Sequence, residues 1–215
     1  MASTIKLTYL PIAARGFPVR FCLRVAGVPF TDERLPREAL VSTRGPTGFS
    51  PAFPLGQLPV LSINEELFTE SMALSRWAAR QGASLLYPPG QGVDTLLVDE
   101  VCAVVDELWS KVPMARHFGL AEPAALAAAR AHFVADVAPR FLQRLAARAA
   151  RGAPFILGAA PSLADVWLCA LATQVGGGAY EPGVPRDLVE SYAPIAANVA
   201  AFRAHPLFAQ FGEPM

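Results

Sequence analysis

The sequence has no excess of charge of either sign. Its 215 residues include 18 Lys plus Arg and 18 Asp plus Glu, and charged residues make up only 17% of the chain. Proteins that bind nucleic acid or anionic membrane surfaces normally use a basic excess, so we expect neither partner. Hydrophobic residues make up 53% of the chain, which supplies a packed core and argues against intrinsic disorder.

Cysteine is scarce, and long apolar runs are missing. Cys22, Cys102 and Cys169 are far apart among apolar neighbours, which predicts buried side chains and neither a disulfide framework nor a metal site. No stretch approaches the roughly 18 uninterrupted apolar residues of a membrane span. The first nine residues also lack a signal-peptide pattern. We therefore expect a cytoplasmic protein.

The first eighty or so residues change their hydrophobic period repeatedly. Residues 5–10 and 29–35 have strand patterns, and a helical run between them opens at Pro18 and ends before Gly27. The next segment, residues 36–54, contains four prolines and predicts a long irregular connection. A hairpin is expected over residues 59–68 with its turn at 64–66, followed by a helix over 71–80. This order, βαβ then ββα, predicts an α/β domain.

The rest of the chain has a helical period. Apolar residues recur at spacings of three and four over residues 93–112, which predicts a long amphipathic helix. A second helix is expected over residues 123–151, with a kink at Pro139. A third opens at Ser162, where Asp165 has the spacing of a capping box, so we expect Asp165 to serve folding and not catalysis.

The change of period also predicts where the chain divides. Pro88-Pro89-Gly90 is a plausible linker because proline and glycine interrupt regular structure. We predict an α/β domain over residues 1–83, a linker over 84–92 and an all-helical domain over 93–215.

Several short segments, in order along nearly the whole chain, resemble the glutathione transferases. These are residues 7–9 with 15 and 18–20, residues 56–61 (Gly-Gln-Leu-Pro-Val-Leu), residues 70–77 (Glu-Ser-Met-Ala-Leu-Ser-Arg-Trp), and Gly158 with residues 162–165. The similarity is closest to the tyrosine-dependent, sigma-class members. It implies a thioredoxin-like first domain and an all-helical second domain that carries the electrophile pocket. It also implies glutathione as co-substrate, with no other cofactor.

The resemblance implies that the Tyr9 hydroxyl donates a hydrogen bond to the glutathione sulfur and holds it as a thiolate. Lowering a thiol pKa from about 8.5 to about 6.5 takes roughly 2.7 kcal/mol, which one charge-assisted hydrogen bond supplies. The alternative for a tyrosine at a strand end is packing with one structural hydrogen bond. Arg15 is implied to add positive potential near the sulfur, and its alternative is an ordinary loop arginine.

Further segments of the resemblance imply how the tripeptide is held. Next to a cis peptide bond at Pro59, the main chain of Leu58 would pair with the cysteinyl backbone as an added strand. Glu70 and Ser71 would bind the γ-glutamyl end at a helix N-terminus, with Gln57 as a second contact there. A helix N-cap is the structural alternative for Ser71.

We also predict a symmetric homodimer, because the first apolar helix after Gly90 is long and because Glu107 of one subunit could complete the glutathione site of the other. Glu107 falls where many members place an acidic residue that reaches glutathione across the dimer interface, and a solvated helix carboxylate is its alternative. The electrophile pocket could be lined by apolar and aromatic residues that are otherwise core: Met114, His117, Phe118, Phe208 and Phe211.

The favoured function is conjugation of glutathione to hydrophobic electrophiles. The alternatives are a non-catalytic ligand carrier or crystallin-like relative, and a sigma-type prostaglandin isomerase or peroxidase. Retention of Tyr9, Pro59 and Ser71 favours the enzyme. The sequence departs from the family at Phe17, where glutamate is usual, and at Leu40, roughly where many members place a donor to the glycyl carboxylate.

Overall fold

The computed structural model describes residues 3–36, 38, 51–82, 86–114 and 122–211. The chain divides into two compact units. The first contains the described residues up to Tyr87 together with Gln210 and Phe211, and the second runs from Pro88 to Ala209. The division after Tyr87 falls within the predicted linker. The last described residues group with the first unit, although the sequence analysis assigns them to the helical domain.

Unit 1 is built on a four-stranded sheet. Its strands are β1 (Ile5–Tyr9), β2 (Thr31–Arg34), β3 (Val60–Ile63) and β4 (Glu66–Phe68), in the spatial order β2-β1-β3-β4. β1 runs parallel to β2 and antiparallel to β3, and β3 runs antiparallel to β4. β1 therefore lies in the middle of the sheet and pairs on both sides, and its last three residues, Leu7, Thr8 and Tyr9, are buried.

Two α-helices of unit 1 complete the predicted βαβ then ββα order. α1 (Phe17–Val25) follows one 3₁₀ turn (Ala14–Gly16), and α2 (Ser71–Ala78) follows β4. The two helices pack against each other. Asn64 and Glu65 form the hairpin turn with φ of 49° and 72°, as a two-residue type I′ turn requires. Glu66, predicted in the turn, is the first residue of β4.

Unit 2 is helical in its described residues. Its helices are α3 (Val93–Lys111), α4 (Pro123–His132), α5 (Ala138–Gly152), α6 (Leu163–Gly176), α7 (Ala193–Ala204) and α8 (Pro206–Phe211), whose last two residues group with unit 1. α6 is buried along most of its length and packs against α3 and α7. Across the described chain, none of the helices has the length and apolar character needed to cross a bilayer.

The predicted kink at Pro139 is a π-helical segment. Phe133–Val137 forms a wider turn between α4 and α5, and Pro139 lies in the first turn of α5. Proline has no N–H to donate and its ring clashes with the preceding turn of a regular helix. A local change of helical period accommodates both effects, so a π-helical segment directly precedes the position of the predicted kink.

The capping box of α6 is also confirmed. One oxygen of the Asp165 carboxylate accepts hydrogen bonds from the Ser162 N–H (2.7 Å) and hydroxyl (2.8 Å). The other accepts from the Ile156 N–H (2.9 Å) and the Asn198 amide (2.7 Å). Asp165 is fully buried, so it ties three segments of unit 2 together and has a structural role. The three cysteines are buried and free, as predicted.

Candidate active site

The end of β1 and the beginning of β3 lie side by side. Thr8 pairs with Val60 in the antiparallel register, so Tyr9, which follows Thr8, lies beside Pro59, which precedes Val60. The Leu58-Pro59 peptide bond is cis, which confirms the prediction. Tyr9 and the Leu58-Pro59 dipeptide are far apart in sequence, and the sheet brings them together at the same end of its strands.

The start of α2 lies near the same end of the sheet. Leu61, one residue after the start of β3, pairs with Phe68 at the end of β4, so β4 runs in the same direction as β1 and ends beside the start of β3. α2 begins at Ser71, only three residues further on. Four of the predicted site residues, Tyr9, Leu58, Pro59 and Ser71, thus belong to neighbouring segments at one end of the sheet.

Tyr9 receives a hydrogen bond from the main chain that precedes α1. Its ring is buried, with 5% of the residue exposed, and the N–H of Arg15 donates to its hydroxyl oxygen over 3.1 Å. This accepted hydrogen bond polarises the O–H of Tyr9. Arg15 is predicted to act through its side chain, whereas its observed contact with the Tyr9 hydroxyl uses the backbone N–H.

Leu58 is anchored by its side chain. It packs, together with Leu10 and Leu35, against the buried pair Phe53 and Val60. Within the described part of the chain, its N–H and C=O have no backbone hydrogen-bond partner. The main chain of Leu58 is therefore held in place and keeps its pairing capacity for an added strand. Gln57, the preceding residue, is exposed.

The structural alternative for Ser71, the N-cap of this helix, is wrong by one position. Glu70 is the N-cap of α2, with φ 69° and ψ 101° and no capping bond from its side chain, and Ser71 is the first helical residue. A positive φ is rare for a residue with a side chain, and such strain is concentrated at binding sites. The first N–H groups of a helix lack intrahelical partners and attract anions, so this strained corner suits a carboxylate group of a ligand.

Glu107 belongs to unit 2, whereas Tyr9, Leu58, Pro59 and Ser71 belong to unit 1. It occupies the exposed side of α3, and its carboxylate lies 3.2 Å from the Lys111 ammonium one turn later. In the single chain, Glu107 is therefore the solvated helix carboxylate that the sequence analysis gives as the alternative. Its predicted contact with glutathione remains a prediction.

The predicted pocket residues are found in different settings. Met114 is half-buried, and the Phe208 ring packs edge-on against Phe202. Phe211 is a core residue of unit 1, where it contacts the rings of Phe17 and Phe21. His117, Phe118 and Leu40 lie outside the described residues. The described residues contain no group of three or more His, Cys, Asp or Glu side chains that could hold a metal ion.

An ion network that the sequence analysis misses holds α1 against the sheet. Both oxygens of Asp32 on β2 accept from the Nε of Arg20 on α1 at 2.9 Å. Arg34 and Arg24 also bind Asp32, at 2.7 Å and 3.3 Å. Burial acts to raise the pKa of Asp32, but the hydrogen bonds and charges of Arg34 and Arg20 outweigh it and keep that pKa below its ordinary value. The sequence shows these four charged residues but does not show that the three arginines share one carboxylate.

The chain is similar in sequence to curated glutathione S-transferases over part of its length, whereas no protein-family model matches it. It is 30% identical to a glutathione S-transferase of Anopheles gambiae over 107 residues, 50% of this chain and 48% of the relative. It is 26% identical to the hematopoietic prostaglandin D synthase of Gallus gallus over 110 residues, 51% of each. The chain thus spans about half the length of these two relatives. A third match, to a probable glutathione S-transferase 7 of Caenorhabditis elegans, covers 34% of that relative.

Solved structures match over nearly the whole chain. The prostaglandin synthase D of Nilaparvata lugens has a TM-score of 0.80 at 19% identity and covers 99% of both chains. The glutathione S-transferase of Ascaris lumbricoides has a TM-score of 0.75 at 21% identity over 99% of this chain and 98% of its own. At these identities the likeness establishes the fold: a thioredoxin-like domain followed by a helical domain, as predicted.

Replacing Asp32 with asparagine should destabilise the protein by about 3 kcal/mol near neutral pH, because buried Arg20 loses its counter-ion. Since the pKa of Asp32 is lowered in the folded protein, its stabilising effect is present above the ordinary carboxyl pKa and is lost as the pH falls through the lowered value. The difference between wild type and Asp32→Asn in urea unfolding should therefore shrink below about pH 4.

The matched control is Glu65→Gln in the exposed β3–β4 turn, which should change the free energy of unfolding by less than about 0.5 kcal/mol. A difference between wild type and Asp32→Asn that is equally large at pH 3 and pH 7 would contradict the assignment.

Proposed function

We propose that this chain is a tyrosine-dependent glutathione transferase, which holds the glutathione thiol as a thiolate with Tyr9 and directs it at a hydrophobic electrophile. The observation that carries the proposal is the position of the Tyr9 hydroxyl. Tyr9 is buried at the end of β1, its hydroxyl accepts a hydrogen bond from the Arg15 N–H, and its strand end adjoins the Leu58-Pro59 segment. Partial sequence similarity to curated glutathione S-transferases supports the same conclusion.

Stabilising the thiolate needs little more than one good donor. About two units of pKa lowering correspond to roughly 2.7 kcal/mol, and a hydrogen bond to a charged acceptor contributes about 1.5–3 kcal/mol. Because Tyr9 already accepts from Arg15, its O–H is polarised toward an anion. Residues 14–16 lead directly into α1, whose positive end adds favourable potential. The side chain of Arg15 would add to that potential.

Binding of the tripeptide would fall mainly to groups other than Tyr9. The N–H and C=O of Leu58 would pair with the cysteinyl backbone. The γ-glutamyl carboxylate would sit at the start of α2, at Ser71, where uncapped N–H groups favour an anion. The exposed side chains of Glu70 and Gln57 would contact the γ-glutamyl ammonium from the same corner.

In the reaction, the thiol proton passes to solvent and the thiolate attacks an electrophilic carbon. The new carbon–sulfur bond either displaces a leaving group or is followed by protonation of the adjacent atom. Glutathione is consumed as a co-substrate, and no further cofactor is required. Half-buried Met114 and Phe208 of unit 2 would contribute to the electrophile pocket. The requirement for reduced glutathione and the three free cysteines fit a cytoplasmic location.

A second candidate is glutathione-dependent isomerisation of a prostaglandin-like endoperoxide. The observation in its favour is the partial sequence similarity to the hematopoietic prostaglandin D synthase of Gallus gallus. Both reactions need the same thiolate and differ in the electrophile. Parallel assays with an aryl halide and with an endoperoxide separate them, whereas a non-catalytic carrier would turn over neither.

We also propose that the protein is a homodimer. Val93 and Leu96 on α3 are 71% and 68% exposed, which is unusual for large apolar side chains near each other. Glu107 lies on the same side of α3 as Leu96, because roughly three full helical turns separate them. A second copy that covers this side would bury the apolar residues and bring Glu107 toward the glutathione of the other subunit.

Replacing Tyr9 with phenylalanine should impair turnover and leave glutathione binding nearly unchanged. The substitution removes one donor and almost no volume. Losing roughly 2–3 kcal/mol of charge-assisted hydrogen bonding corresponds to a fall of about thirty- to a hundred-and-fifty-fold at neutral pH. The pKa of bound glutathione should rise by about two units, so the deficit should shrink as pH increases. A pH–rate profile with glutathione and an aryl halide measures both effects.

The control is Tyr192→Phe, the same chemical change at a half-buried tyrosine of unit 2, which should keep the wild-type profile. Equal rates for wild type and Tyr9→Phe at neutral pH would make Tyr9 structural and sink the proposed mechanism.

Sedimentation equilibrium at micromolar concentration should give twice the 22.9 kDa of the single chain. Leu96→Glu should produce monomers, because it places a charge in the middle of the proposed contact. Ala150→Glu, at an exposed position near the end of α5, should remain dimeric. A wild type that sediments as a monomer across this range would rule out the dimer and the role of Glu107 in it.

A further inference from the structure

Gly16 has an ordinary backbone conformation. Its φ of −77° and ψ of −22° are helical values that any residue can adopt. The usual reason for glycine, a positive φ, therefore does not apply. A different constraint must account for the absence of a side chain here.

That constraint is the ring of Tyr9. A Cβ added to Gly16 would lie 2.2 Å from Cδ1, 2.5 Å from Cγ and 2.8 Å from Cε1 of Tyr9. All three distances are far inside van der Waals contact, which begins near 3.5 Å for two carbon atoms. The three atoms form one side of the ring, so the backbone of Gly16 lies directly against that side. Any residue larger than glycine would have to displace the ring.

The backbone at Gly16 has little room to retreat. Phe17, the next residue, is 1% exposed and packs against Phe21 and Phe211 at centroid distances of 5.5 Å and 5.3 Å. Its N–H donates to the carbonyl of Ala13 over 2.9 Å. The 3₁₀ turn is thus held from its C-terminal side, and a new side chain at position 16 would move Tyr9 and not the turn.

We propose that Gly16 is a positioning residue for Tyr9: its missing side chain sets where the ring lies and thereby aims the hydroxyl at the glutathione sulfur. Arg15 and Gly16 act together, since the N–H of the first binds the hydroxyl and the Cα of the second supports the ring. This inference rests on the proposed function for its catalytic consequence. The packing of the ring against Gly16 does not depend on it.

Gly16→Ala is the direct test, because it leaves every functional group of the site in place. The methyl group should shift the ring, lengthen the Arg15–Tyr9 hydrogen bond and weaken donation to the sulfur. We expect turnover at pH 7 to fall roughly ten-fold with little change in glutathione affinity. The pKa of bound glutathione should rise by about one unit. A residue that merely supports folding would change neither the thiol pKa nor the shape of the pH–rate profile.

The matched control is Gly92→Ala, at a glycine that also has a negative φ and has no atom within 4 Å of its added Cβ. It should behave as wild type. In the Tyr9→Phe background, Gly16→Ala should cause no further loss of turnover, because no hydroxyl remains to be aimed. An equal fold loss in both backgrounds would overturn the proposal.

A readout without glutathione separates this inference from the proposed function. In NMR spectra of protein with labelled tyrosine rings, the Tyr9 signal is identified by its loss in Tyr9→Phe. It should shift in Gly16→Ala and stay unchanged in Gly92→Ala. An unshifted signal in Gly16→Ala would refute the positioning role even if the enzyme is active. A shifted signal in a protein that does not ionise glutathione would support the packing and refute only the transferase.

Gly16→Ala could instead prevent folding, since overpacking a buried site is destabilising. In that case Tyr9→Leu, which removes the ring, should restore folding to the double variant. If the double variant stays unfolded although Tyr9→Leu alone folds, the crowding does not involve Tyr9 and the proposal is wrong.

Discussion

The N–H of Arg15 lies 3.1 Å from the Tyr9 hydroxyl, and this contact requires α1 to begin at one particular place beside the end of β1. Asp32 on β2 binds Arg20 and thereby holds the helix against the sheet. At the other end of the turn, Phe17 packs into an aromatic cluster. The polar chemistry proposed for Tyr9 therefore depends on ionic and apolar contacts whose side chains play no part in the proposed binding of glutathione.

Local sequence patterns predict much of this fold because they determine local structure. The hairpin of β3 and β4 follows from two strand patterns around a short polar turn. The pairing of β3 with β1 then brings Pro59 beside Tyr9. The capping box of α6 follows from Ser162 and Asp165 three residues apart. The π-helical segment lies just before Pro139, a proline inside a helical period. In the candidate site, Tyr9, Leu58, Pro59 and Ser71 could all be proposed because they lie in recognisable segments, and the fold brings those segments together.

Features that depend on tertiary packing could not be predicted. Glu70 has a positive φ where the chain passes from β4 to α2, and the sequence around Ser71 does not indicate it. The Arg15 contact is made by a backbone group, which every non-proline residue has. Gly16 looks like an ordinary helix-start glycine until the Tyr9 ring is placed against it. Phe211 groups with unit 1 because it packs on α1, a partner almost two hundred residues earlier in the chain.

The most direct test of the proposed mechanism is the crystal structure of the protein with bound glutathione. The proposed mechanism predicts the sulfur within hydrogen-bonding distance of the Tyr9 hydroxyl and the cysteinyl backbone paired with the N–H and C=O of Leu58. It also predicts that the γ-glutamyl carboxylate lies at the start of α2, against Ser71. A tripeptide bound elsewhere, or bound with its sulfur turned away from Tyr9, would contradict it.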